Sequence, residues 1–242
     1  MAGDADPTSL QLLLEVQFHD SGIARLSHQR DNLPESQRLA EVSDHLGELE
    51  ADLEIAHKQL EELTREQDRI EGEIGILESK IEREELRLFS GAVSNPKELS
   101  ALQAEVAMLK KNRGDLEDSL LEVMVQKDQA TATADRLESE HESTQAEHSQ
   151  LAAKVRELSE EIDAELNDHA AKRSEVAARI PRDLVALYES LRDSKGGIGA
   201  AALRGDTCEG CHTKLPSREV ERLRNEGGLQ RCDNCRRILV VV

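Results

Sequence analysis

The sequence predicts a mainly α protein: a long antiparallel coiled-coil hairpin followed by a small cysteine-bearing module. Three observations predict it. Apolar residues recur at three-four spacing along most of the chain, and a capped break divides that pattern into two arms. All four cysteines fall in the last thirty-five residues, as Cys208-x-x-Cys211 and Cys232-x-x-Cys235.

The first long arm begins at Leu39 and keeps its spacing to Leu88, with only Gln67 and Glu84 polar among fifteen seam positions. Seven heptads of this pattern read as a coiled coil. The second arm runs from Leu99 to Ile162, with Arg113, Lys127, His141, Thr144 and His148 as its polar seam positions. Between the arms, Gly91 suits the residue just past a helix C-terminus. Asn95 fits an N-cap, Pro96 the first helical position and Glu98 the third residue of a capping box. A turn of about five residues forces antiparallel neighbours. Paired positions then add to roughly 187, so that Leu88 meets Leu99, Ile81 meets Val106 and Leu53 meets Ala134.

An N-terminal series (Leu12, Val16, His19, Ile23, Leu26, Arg30, Leu33) is one residue out of step with the next, and Pro34 separates them. The expected helices are about 7–33, 35–90 and 96–180, with a tip at about 90–95, all within a hairpin domain of residues 1–180. The stretch after Pro34 would extend roughly 80 Å at 1.5 Å per residue. The first helix either extends this line or folds back as a third strand of a bundle. Its crowded apolar content, Phe18 included, predicts cover on more than one side. Residues 181–199 read as a short amphipathic helix (Leu184, Leu187, Leu191) and a Gly-rich connector. That connector lacks the ending of a phosphate loop and reads as a turn entering a strand at about 200–204.

Residues 200–242 hold the cysteines. Two Cys-x-x-Cys turns separated by twenty residues sit at the upper edge of four-cysteine zinc spacing, and four soft ligands suit tetrahedral Zn2+. The expected cofactor is one structural zinc on Cys208, Cys211, Cys232 and Cys235. Gly210 and Asn234, each before the second cysteine of its pair, are expected to take left-handed backbone and aim N–H groups at sulfur. Iron can use the same four ligands. Two matched pairs do not suggest a thioredoxin-like redox site, and four thiolates leave no position for a catalytic water. Residues 217–225 read as an inserted helix and Arg237–Val242 as a final strand. A module this short is expected to draw much of its stability from the metal.

Composition bounds the function. Only Phe18, Phe89 and Tyr188 are aromatic, tryptophan is absent, and the net charge is -19. That balance argues against bulk attraction to phosphate backbones or anionic membranes. No apolar run approaches a membrane span and no leader pattern precedes the first helix, so the expected location is the cytoplasm, where reduced thiols favour metal over disulfides.

The motifs Ser94-Asn95-Pro96-Lys97-Glu98-Leu99, Lys195-Gly196-Gly197-Ile198-Gly199-Ala200, Cys208-Glu209-Gly210-Cys211-His212, Leu215-Pro216 and Cys232-Asp233-Asn234-Cys235-Arg236-Arg237-Ile238-Leu239 carry a resemblance. The chain resembles the bacterial family of coiled-coil proteins with a C-terminal four-cysteine zinc ribbon. The resemblance implies a zinc-bound ribbon on a helical hairpin. It also implies partners in transcription, through alternative sigma factors, or in flagellar or secretion machinery. Members are often labelled nucleic-acid-binding.

The functional expectation is a non-enzymatic adaptor or regulator with protein partners and no small-molecule substrate; the tip residues Asn95, Pro96, Lys97 and Glu98 are a candidate docking site, though helix capping alone accounts for their types, and the choice between tip and ribbon stays open. The alternative is nucleic-acid binding through Arg218, Arg222, Arg224, Arg231, Arg236 and Arg237. Residues 204–242 carry eight basic and six acidic side chains, a balance of +2, against -21 for the rest. A Zn(Cys)4 centre cancels that +2, and the ribbon has no aromatic residue to stack on a base. His141 and His148, with His45 nearby, could mark a second metal site, or a polar seam that sets register.

Overall fold

The structure, a computed structural model, describes residues 6–242. The expectation that no leader precedes the first helix falls in part on residues 1–5, outside the described residues. Five helices and four strands follow in order: α1 (Pro7–Asp31), α2 (Pro34–Phe89), α3 (Pro96–Ala177), α4 (Arg182–Ser194), β1 (Ala200–Arg204), β2 (Thr207–Cys208), α5 (Ser217–Asn225), β3 (Gln230–Arg231) and β4 (Ile238–Val241). Each of the first three helices opens on a proline, where a missing N–H costs nothing. The chain forms two compact units, Leu39–Gln150 and Met1–Arg38 with Leu151–Val242.

The unit of residues 39–150 is a two-helix coiled coil. Leu53 packs against a buried cluster of Leu49, Ala56, Ala134 and Leu137, the register the sum rule requires. Polar seam residues find one another: Lys127 Nζ donates to Gln67 Oε1 at 3.0 Å. Cross-helix ion pairs flank the seam, Lys80 with Glu105 at 3.2 Å and Lys110 with Glu85 at 2.6 Å. They are largely open to solvent, with side chains 35–52 % exposed, and add little individually. The histidines build a polar layer, with His45 Nε2 3.6 Å from Glu140 and His141 Nε2 3.8 Å from Glu50. No ligand cluster forms around them among the described residues.

At the tip, Ser90 N–H closes the last turn on Leu86 O at 2.9 Å, and Gly91 follows at φ +73°. Asn95 Oδ1 accepts the Lys97 N–H at 3.0 Å, the N-cap bond the sequence calls for. Among the described residues Glu98 makes no return bond to Asn95, so the cap is single rather than a box.

In the other unit, α1 lies antiparallel to α3: His19 meets His169 and Arg30 meets Asp163. The histidine pair adds to 188, close to the sum rule, and Leu26 and Leu33 pack with Ile162. The helical line breaks at Asn32, whose side-chain amide donates to His28 O at 2.8 Å.

The four-stranded sheet has the order β2-β1-β4-β3. Strands β1 and β4 run parallel, while β2 and β3 add antiparallel at the edges. Strand alternation gives this sheet two apolar faces. Ala200, Ile238 and Val240 join Leu13, Val16, Ile180, Leu184 and Tyr188 in one core. Ala201, Leu203 and Leu239 turn to the other face, with Val220 and Leu223 of α5 and the cysteines. Helix α1 is therefore covered by helices and sheet together. Phe18 departs from the expectation, being 65 % exposed, because it lies off the stripe of Leu10, Leu13 and Gln17.

Candidate metal centre

The ends of β2 and β3 each feed a Cys-x-x-Cys turn, and the two turns match atom for atom. His212 N–H donates to Cys208 O at 2.8 Å, as Arg236 N–H does to Cys232 O. Cys208 N–H reaches Thr213 O at 3.1 Å, and Cys232 N–H reaches Arg237 O at 3.0 Å. The left-handed residues are His212 at φ 56° and Arg236 at φ 65°, one after each second cysteine. This corrects the placement at Gly210 and Asn234. Gly210 is required for a different reason: a Cβ there would lie 2.8 Å from Ala201 Cβ and 3.0 Å from Arg237 Cδ. Asn234 uses its side chain, donating from Nδ2 to Cys211 Sγ at 3.6 Å and to Thr213 Oγ1 at 2.9 Å.

All four sulfurs lie within 4.8 Å of one another, with Cys208–Cys235 at 4.0 Å and Cys211–Cys232 at 3.9 Å. A tetrahedron with Zn–S bonds of about 2.3 Å needs sulfurs about 3.8 Å apart, so the donor set fits the ion. Burial pushes the Cys208 thiol up, and the Gly210 and Cys211 N–H groups work against that. Burial likewise raises Cys232, opposed by N–H groups of Cys235 and Asn234. Burial acts on Cys211 too, but bonds from Thr213 and Asn234 outweigh it and hold that thiol below its ordinary value. The N–H groups are thus aimed at sulfur before any ion arrives. A zinc ion held by Cys208, Cys211, Cys232 and Cys235 would favour their thiolate forms, and four such ligands would fill a tetrahedral shell.

Several of the six ribbon arginines are engaged within the ribbon, and Arg222 and Arg236 each reach Asp233 at 4.0 Å. Arg237 is committed internally: its guanidinium donates to Lys195 O at 2.6 Å and to Ile198 O and Gly210 O at 2.9 Å each. It ties the second knuckle to the first and to the Gly-rich connector. Arg222 pairs with Glu219 and Glu226. Arg224 donates to Gly205 O at 3.0 Å. Arg231 is half-buried in β3, whereas Arg218 and Arg236 are exposed.

A polar knot beneath the sheet went unread in the sequence. Gln17 Oε1 accepts Gly199 N–H at 2.8 Å and Ala200 N–H at 3.3 Å, while its Nε2 donates to Gly197 O at 3.0 Å. The fully buried Tyr188 donates to Asp20 Oδ2 at 2.7 Å. Asp20 is held in turn by Arg173 at 3.2 Å and Arg192 at 3.1 Å. Gly199 can be nothing larger, since a Cβ would sit 2.5 Å from Tyr188 O. The signal was present: Leu10, Leu13, Gln17 and Asp20 continue one three-four stripe, placing two polar groups in core positions.

Comparison with known proteins decides the family. The pattern of the CT398-like coiled-coil hairpin domain matches residues 16–196, and that of a C4-type zinc ribbon matches residues 207–239. The chain belongs to the CT398-like coiled-coil hairpin family. Similar proteins include the uncharacterized protein Rv2229c of Mycobacterium tuberculosis, 30 % identical over 94 % of this chain and 93 % of the relative. The uncharacterized ML1638 of Mycobacterium leprae is 26 % identical over 83 % of this chain and 86 % of its own. A solved Mycobacterium smegmatis structure is 27 % identical, with TM-score 0.83 over 98 % of this chain and 99 % of that one. CT398 of Chlamydia trachomatis, 23 % identical, shares the fold with TM-score 0.70 over 97 % and 98 % of the two chains. This member thus pairs the family's hairpin with a four-thiolate ribbon built to hold one structural zinc. No helix among its described residues is long and apolar enough to cross a membrane.

Proposed function

We propose that this CT398-like protein is a non-enzymatic, cytoplasmic adaptor or regulator whose hairpin tip docks a protein partner. The observation that carries the reading is the tip itself. Every residue from Ser90 to Glu98 is exposed except half-buried Val93, and beside them Phe89 is 80 % and Leu86 67 % exposed. Large apolar side chains at a capped helix end, where a polar residue serves the fold equally well, mark a contact surface. The closed thiolate shell supports a non-catalytic metal, and the engagement of Arg222, Arg224 and Arg237 within the ribbon counts against nucleic-acid readout.

The test is affinity capture by zinc-loaded full chain from native lysate, with and without nuclease. Phe89→Ser with Lys97→Glu should abolish a nuclease-resistant partner, while Arg218→Glu with Arg236→Glu should retain it. A partner released by nuclease and lost with the arginine variant would replace this reading with nucleic-acid binding. A partner indifferent to the tip variant would move the docking surface elsewhere.

A further inference from the structure

The seam between α1 and α3 holds an arrangement that neither the ribbon nor the hairpin explains. His19 Nδ1 and His169 Nδ1 lie 3.0 Å apart, with the two rings at 69°. His19 is buried, at 6 % exposure, and His169 is half-buried. The neighbouring seam layers use Leu26, Leu33 and Ile162, so an apolar pair would serve packing here. Helix α1 is also cut away to admit the second ring: a Cβ on Gly22 would sit 2.6 Å from His169 Cε1. The Phe18 ring stands against both imidazoles, with centroids at 5.4 and 5.8 Å.

One turn before each histidine stands a glutamate, giving Glu15-x-x-x-His19 on α1 and Glu165-x-x-x-His169 on α3. Residues four apart share a helix face. The helices are antiparallel, so the two carboxylates flank the imidazole pair from opposite ends. Both glutamates are exposed, and neither has an ion-pair or hydrogen-bond partner among the described residues. Asp168, beside His169, is taken by Lys172 at 2.7 Å. Two imidazole nitrogens bound to one ion at about 2.0–2.1 Å are separated by about 2.9 Å at a right angle and about 3.3 Å in a tetrahedron. The observed spacing falls in that interval.

From this geometry we infer a second metal site, holding a divalent first-row transition ion between His19 and His169. Imidazole with carboxylate is the donor type that suits zinc, cobalt or nickel rather than calcium or magnesium. The two nitrogens stand in place, and Glu15 and Glu165 close on the ion by rotating their side chains, since the thiolates alone form a complete cluster as the structure stands. The site is independent of the adaptor reading and of the ribbon.

The experiment uses full chain with its ribbon already loaded with zinc, titrated with Co2+ and followed by calorimetry and visible absorption. One further equivalent should bind, with nitrogen–oxygen ligand-field bands and no thiolate charge-transfer band. His169→Gln and His19→Gln should each abolish it. Glu15→Gln with Glu165→Gln, both on exposed positions, should weaken it while leaving the helical circular dichroism unchanged. Absence of a second equivalent, or binding indifferent to all three variants, overturns the inference.

Discussion

Replacing Tyr188 by phenylalanine isolates one hydroxyl of the polar knot. The ring stays, so the packing is kept, and the loss is the hydroxyl's donation to Asp20 Oδ2 at 2.7 Å, with its longer contact to Gln17 Oε1 at 3.2 Å. Asp20 keeps Arg173 and Arg192, and Gln17 keeps the Gly199 and Ala200 N–H groups. The cost is therefore one bond to a charged acceptor in a buried site, roughly 1.5–3 kcal/mol. Every 1.4 kcal/mol is about tenfold, so local opening should become roughly 10- to 100-fold more frequent. Amide hydrogen exchange on the zinc-loaded full chain reads this at Gly199 and Ala200 and along α4. The amides of residues 39–150, in the other unit, serve as the internal reference. A rise below threefold at Gly199, or an equal rise across residues 39–150, would show that Tyr188 does not anchor the connector.

Three further outcomes are expected. Burial, then the bond to Asp20, raises the Tyr188 hydroxyl above its ordinary value, near 10 for a free tyrosine. A group raised by folding contributes stability that is fully present below its unfolded pKa and lost as pH rises toward the folded one. Tyr188 is the single tyrosine and tryptophan is absent, so tyrosinate absorbance should stay silent past pH 10 and then appear together with loss of structure; tyrosinate forming at its free value in folded protein would refute this. Chelating the zinc should remove exchange protection across residues 199–241 and leave the helices of residues 39–150 protected, and unchanged ribbon protection would deny the metal its structural role. Gly210→Ala should cost about 1–3 kcal/mol by overpacking and weaken zinc binding in competition with a chromogenic chelator. Gly227→Ala, with open space around its Cβ, should leave that affinity unchanged.

The hairpin was legible because its information is periodic. Leu53 against Ala134, and prolines at 7, 34 and 96, follow from spacing and from one residue's missing N–H. The cysteines were legible because a four-thiolate zinc site takes its ligands from one residue type in two short-spaced pairs. What escaped depends on tertiary contact. Nothing local distinguishes Gly210 held by Ala201 from a glycine chosen for its backbone, so the left-handed residues were placed two positions early. The arginines read as a surface until the fold spent Arg237 on three carbonyls. Gln17 and Asp20 were visible as polar residues on a core stripe, but the partners that tie them to the connector and to α3 and α4 lie more than 150 residues away.

The two-faced sheet has a consequence for how the protein is dissected. One face carries the thiolates and α5, and the other roofs the apolar sides of α1, α3 and α4. Cutting the chain before Ala200 would not yield a clean hairpin lacking a head. It would uncover Leu13, Val16 and Tyr188, and such a fragment should self-associate or bind promiscuously. Deletion mapping would then credit the ribbon with interactions that belong to an unroofed core. Point changes on the exposed tip and on the outer ribbon surface are the sound way to divide labour between them.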